Sequence, residues 1–145
     1  MIKTTKTFEF EAAHLLPNYD GDCRNLHGHT YKFELTVGRL YLENDDMVID
    51  YSDLNDMVDE AILKYIDHSV ILGDSPVERL LGNTLKSFSM KIYEIKGRST
   101  AESLCKIIAV TIANDLEHNG KIFDIMNVKL WETSKNCAEY TFEVE

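Results

Sequence analysis

The chain has 145 residues, the size of one ordinary domain, and its 44% hydrophobic and 28% charged residues with only 7 Gly and 2 Pro exclude disorder and collagen-like repeats. Its 15 Lys and Arg against 25 Asp and Glu leave a net charge of -10 and a sequence pI near 4.9, the wrong sign for embracing nucleic acid or an anionic membrane. Lys and Glu within Met1 to Glu11 break any signal-peptide core, no run reaches membrane-spanning length, and the three cysteines (Cys23, Cys105, Cys137) do not suggest a disulfide framework, so the expected compartment is the cytoplasm.

From Thr5 to His14 apolar residues alternate, with Phe8, Phe10, Ala12 and His14 on one face, which predicts a first strand. A loop rich in Asn, Asp and Gly covers 15–26, and alternation resumes at His27, His29, Tyr31, Phe33, Leu35 and Val37 in a second strand, antiparallel to the first. Ser52 reads as the N-cap of a first helix carrying Leu54, Met57, Val58, Ala61 and Tyr65 and ending near Ile66. Segment 73–97 is harder to read, with a short helix around Val77 to Leu81 and an edge strand around Phe88 to Ile95. Ser99 to Glu102 reads as a capping box opening a second helix to about Glu117, with Cys105 in its apolar stripe. Val128, Leu130 and Glu132 share one face of a third strand, and Ala138, Tyr140, Phe142 and Val144 one face of a fourth. The order ββααββ, without an internal linker, predicts one α+β domain over 1–145: a four-stranded antiparallel sheet with two helices on one face and the other face free.

The strongest chemical signal is His27-Gly28-His29, whose imidazoles point to the same face of a strand, joined by His14 at the end of strand one. Three neutral nitrogens suit Zn(II) and leave a fourth position open, as in catalytic sites. Cys23, four residues before His27, reads as a fourth ligand, as an inert thiol, or as a base or nucleophile favoured by a nearby cation. Asp67 and His68, following helix one, read as a dipole-complementing cap or as an oriented acid-base pair. Glu132 interrupts an apolar strand face and needs a basic partner or a ligand with adjacent N–H donors. Glu102 has a sufficient role within the capping box.

Six blocks in order resemble the 6-pyruvoyl-tetrahydropterin synthase and 6-carboxy-tetrahydropterin synthase family. They are Phe10-Glu11-Ala12-Ala13-His14, Cys23-Arg24-Asn25-Leu26-His27-Gly28-His29, Val48-Ile49-Asp50-Tyr51-Ser52-Asp53-Leu54, Asp67-His68, Ser99-Thr100-Ala101-Glu102 and Trp131-Glu132-Thr133. The resemblance implies the tunnelling fold, in which sheets of several subunits join in a barrel, with a hexamer favoured and active sites at subunit interfaces. It implies zinc on His14, His27 and His29, Cys23 as catalytic thiol with Asp67 and His68 as acid-base partners, and Glu132 as pterin anchor, with Thr100 and Glu102 as further pterin contacts. Three residues between Cys23 and His27 resemble the carboxy branch; pyruvoyl-forming members typically have five. The implied reaction takes 7,8-dihydroneopterin triphosphate and water to 6-carboxy-5,6,7,8-tetrahydropterin, acetaldehyde and triphosphate, toward queuosine and 7-deazaguanines.

Two features depart from the family pattern: Ser99 and Ser103 stand in a turn usually written Pro-Thr-Ala-Glu-Asn, and segment 73–97 is long. Arg24 and Lys135 are the candidate cations for the triphosphate. The competing readings are pyruvoyl-tetrahydropterin formation and a non-catalytic zinc or pterin-binding module. A cupin is disfavoured because the second half of its motif is missing and two amphipathic helices occupy the middle of the chain.

Overall fold

The computed structural model describes residues 1–144. In chain order the elements are β1 (Ile2–His14), β2 (His27–Arg39), α1 (Tyr51–Val58), α2 (Lys64–Ile66), β3 (Ser69–Leu72), α3 (Pro76–Ser87), β4 (Ile92–Glu94), α4 (Ala101–His118), β5 (Ile125–Trp131) and β6 (Cys137–Glu143). A π-helical stretch (Asp59–Leu63) joins α1 to α2 in one continuous rod, so the fold has three helical bodies.

The β1–β2 hairpin forms as its alternation requires, in a register from Ile2 opposite Arg39 to His14 opposite His27. A slip of one residue would turn Phe8, Phe10 and His14 to the opposite face. Phe8 stacks on Phe33 and Phe10 on Tyr31, with ring centroids 5.0 and 4.8 Å apart, so aromatic pairs across the strands fix that register. The inner face of the sheet packs on Leu54, Val58, Ile62 and Ile66 of the first rod and on Leu104, Ile108, Ile112 and Leu116 of α4. Cys105 lies within this core, its thiol donating to the Val128 carbonyl at 3.2 Å and pushed by burial up to about 11, as an inert small hydrophobe should be.

The α+β class holds, but the sheet has six strands in the order β4-β3-β1-β2-β5-β6 rather than four. β1, β2, β5 and β6 are antiparallel as expected, whereas β3 and β4 add parallel to the outer edge of β1 and make the sheet mixed. The four residues Ser69-Val70-Ile71-Leu72 are too few to show a period, which is why no strand was expected there.

Segment 73–97 holds a twelve-residue helix, longer than expected, because Ser75 caps it, Pro76 opens it and Glu78 turns back to accept from the Gly73 amide and the Ser75 hydroxyl. The strand that follows is only Ile92–Glu94. Gly73 must be glycine because a Cβ there would stand 2.0 Å from the Gly97 carbonyl.

Two caps also move. Asp50, not Ser52, caps α1 by accepting from the Ser52 and Asp53 amides. Thr100, not Ser99, caps α4 by accepting from the Ser103 amide, so Glu102 is freed from the capping box. Ser99 is otherwise engaged, fully buried against His14. No helix of the described residues is long and apolar enough to cross a membrane.

Candidate metal centre and active site

The hairpin register brings the three histidines together. His14 faces His27 across the two strands, His29 is one same-face step along β2, and one ring nitrogen of each lies within 4.8 Å of the others. His14 Nδ1–H donates to the Ser99 carbonyl at 2.8 Å and His27 Nδ1–H to the Asn25 carbonyl at 2.7 Å. Each bond fixes the tautomer that leaves Nε2 as a lone pair. Those two Nε2 atoms then face one another at 3.1 Å.

His29 Nε2 is buried without a hydrogen-bond partner among the described residues, and burial first, with its histidine neighbours, lowers its pKa despite the raising effect of Glu132. Three converging imidazole nitrogens, two with oriented far sides and the third otherwise orphaned, fit a divalent cation that prefers nitrogen donors.

Glu132 lies just beyond β5 and leans over this cluster, its Oε1 3.2 Å from His14 Nε2 and 3.4 Å from His29 Nε2. Its hydrogen bond with His14, made when Nε2 of that ring also carries a proton, holds its carboxyl below the usual range, against the opposing effect of burial. Glu132 also lines a cavity of about 600 Å³ together with Cys23, Thr100, Glu102, Lys135 and Cys137. Cys23 is exposed within a short 3₁₀ turn, outside the imidazole group and beside the cavity. Lys135 lies in the same wall, whereas Arg24 does not line this cavity.

Asp67 and His68 do not line the cavity that Cys23 lines. His68 is among the residues lining a second cavity of about 460 Å³, together with Glu11, Gly28, Thr30 and the metal-site His29. There the Asp67 carboxylate accepts from the Glu11 amide at 2.9 Å and pairs with His68 Nδ1 at 3.0 Å. Burial acts to raise the Asp67 carboxyl, but the Glu11 amide, His68 and Lys91 outweigh it and hold it below the ordinary range. His68 adopts φ +61° and is 75% exposed, so its imidazole is open to solvent beside the Asp67 carboxylate.

Sequence reasoning missed the carbonyls of Asn25 and Ser99, which orient the imidazoles, and Cys137 and Asn136 in the cavity wall. Backbone acceptors leave no trace in residue type.

The family model for 6-pyruvoyl tetrahydropterin synthase matches residues 3–143. The chain belongs to this family. A Haemophilus influenzae protein named 6-carboxy-5,6,7,8-tetrahydropterin synthase is 38% identical over 144 residues, covering 97% of this chain and 99% of its own. A Rickettsia bellii protein of the same name is 33% identical over 138 residues, with 94% and 97% covered. Among solved structures, an uncharacterized protein of Wolinella succinogenes superposes with a TM-score of 0.80 at 19% identity, covering 98% of both chains. The 6-pyruvoyl tetrahydropterin synthase of Plasmodium vivax gives 0.73 at 18% identity, covering 99% of this chain and 100% of the other. The fold is therefore the tunnelling fold of the family, and the chain is an enzyme of the lyase type, similar to the carboxytetrahydropterin synthases.

Proposed function

We propose that this protein is a zinc enzyme that converts 7,8-dihydroneopterin triphosphate and water to 6-carboxy-5,6,7,8-tetrahydropterin, acetaldehyde and triphosphate, in the cytoplasm, as a step toward queuosine and other 7-deazaguanines. The observation that carries the reading is the convergence of His14, His27 and His29 beside a cavity walled by Cys23 and Glu132. The carboxy branch is favoured over the pyruvoyl branch by the three residues between Cys23 and His27 and by the names of the most similar relatives.

His14, His27 and His29 hold the Zn(II), which when bound supplies Lewis-acid polarisation of side-chain hydroxyls. Glu132 accepts from adjacent N–H groups of the pterin ring, a carboxylate being suited to two parallel donors, and Thr100 and Glu102 add contacts at the α4 N-terminus. The Cys23 thiolate takes a proton from the substrate side chain at Sγ. His68, oriented by Asp67, returns or removes protons on the opposite side. Because His68 lines a different cavity of the same chain from Cys23, the reading takes His68 from a second copy, in keeping with a homo-oligomer, a hexamer being favoured. No reductant is needed, since reduction of the ring is balanced by oxidation of the side chain.

The test is incubation of zinc-loaded protein with 7,8-dihydroneopterin triphosphate and mass identification of products. Carboxytetrahydropterin with acetaldehyde is expected. Pyruvoyl-tetrahydropterin overturns the branch assignment, and no product from a zinc-replete oligomer overturns the catalytic reading.

A further inference from the structure

Tyr31 follows His29 by two residues on the same face of β2 and is fully buried. Its ring lies flat on Phe10 and edge-on to His29 and His14, with centroids 5.4 and 6.1 Å from the two imidazoles. Its hydroxyl is shut off from solvent and has no hydrogen-bond partner among the described residues. A phenylalanine would fill the same space without stranding a donor. The β2–β5 register pairs Phe33 with Leu130 and Lys32 with Trp131, so the next step along the two strands brings Glu132 beside Tyr31 on the same face.

Glu132 is the complementary case. Its carboxylate leans on His14 Nε2 and His29 Nε2, the nitrogens that a metal would occupy. Once those nitrogens are committed they cannot pair with the carboxylate, and a partly buried anion stands beside a buried donor that has no partner. We propose that Tyr31 is a positioning residue for Glu132: with the imidazoles committed to a metal, the Tyr31 hydroxyl donates to the Glu132 carboxylate and holds it toward the N–H edge of the ligand. This inference rests on the pterin reading above and adds to it a residue that acts through the anchor.

The experiment compares the zinc-loaded wild type, Tyr31→Phe, Glu132→Gln and the double variant by titration with 7,8-dihydroneopterin, with zinc content, Tm and steady-state kinetics measured alongside. Tyr31→Phe is expected to keep its zinc, melt at or above the wild type, and bind the pterin about tenfold more weakly, the size of one hydrogen bond to a charged group. KM rises while kcat holds, and on the Glu132→Gln background the same change has almost no further effect on binding. Wild-type affinity in Tyr31→Phe, a full tenfold loss in both backgrounds, or loss of zinc overturns the role of Tyr31 while leaving the pterin reading intact. A zinc-loaded wild type that binds no pterin overturns the functional reading itself.

Discussion

His14 Nε2 and His27 Nε2 stand 3.1 Å apart while their Nδ1 atoms donate to the carbonyls of Ser99 and Asn25, so two lone pairs are held face to face. A divalent cation resolves that arrangement. We expect one Zn(II) per chain, and a rise in stability on loading of about 2.7 kcal/mol at a free metal concentration a hundredfold above Kd. His14→Ala, His27→Ala and His29→Ala should each lose the metal, measured by elemental analysis and thermal melts. Full zinc in His29→Ala would remove it from the ligand set.

Cys23 lines the cavity shared with Glu132 and is not among the clustered metal donors. Cys23→Ala is therefore expected to retain zinc and the wild-type Tm and to lose turnover by at least about a hundredfold, the scale of a general acid-base contribution. Zinc loss in this variant would make the thiol a ligand and return the structural-site reading.

His68 and Cys23 line different cavities of one chain, and the reading that joins them across two copies gives a mixing test. Cys23→Ala and His68→Ala are each expected to be inactive alone. Co-assembled at random, about a quarter of the interfaces pair an intact Cys23 with an intact His68, and activity should return to that extent. Mixed oligomers with no activity would place both residues in the work of a single chain.

Lys135 is the cation in the wall that also holds Glu132 and Cys23. Lys135→Ala is expected to raise KM for the triphosphorylated substrate about tenfold and leave affinity for unphosphorylated dihydroneopterin within twofold, as loss of one charge-assisted contact would. Equal losses for both ligands would make Lys135 a general wall residue.

The parts of the fold that were legible in the sequence have a long period. Thirteen-residue β1 and β2 alternate over enough positions to fix face and register, and that register alone places His14 against His27. Illegible parts were set by short or tertiary signals. β3 is one serine and three apolar residues, too short to show a period, and its parallel pairing with β1 at Ala12 is a long-range contact with no local mark. Ser99 looked like an N-cap because its residue type suits one, but burial against His14 gave its carbonyl and hydroxyl other work and passed the cap to Thr100. The imidazoles of the candidate site could be read from spacing; their tautomers could not, being fixed by carbonyls.

Asp67 provides a pH test whose sign follows from its partners. Its carboxyl lies below the ordinary value of 3.8, since the Glu11 amide, His68 and Lys91 outweigh the opposing effect of burial. A group depressed in the folded state binds its proton more readily in the unfolded chain, so its stabilising contribution is present above the ordinary value and is lost as pH falls through the lower folded one. The Tm difference between wild type and Asp67→Asn should accordingly be level from neutral pH down to about pH 5, then shrink as acid approaches and passes the ordinary carboxylate range. Asp67 is 41% exposed, so solvent screening keeps the effect small, and a fluorescence melt series at fixed ionic strength is the suitable measurement. A difference that stays level to pH 3, or grows on acidification, would show that the carboxylate contributes through shape and not through charge, and His68 would then lack the anionic partner that its acid-base role requires.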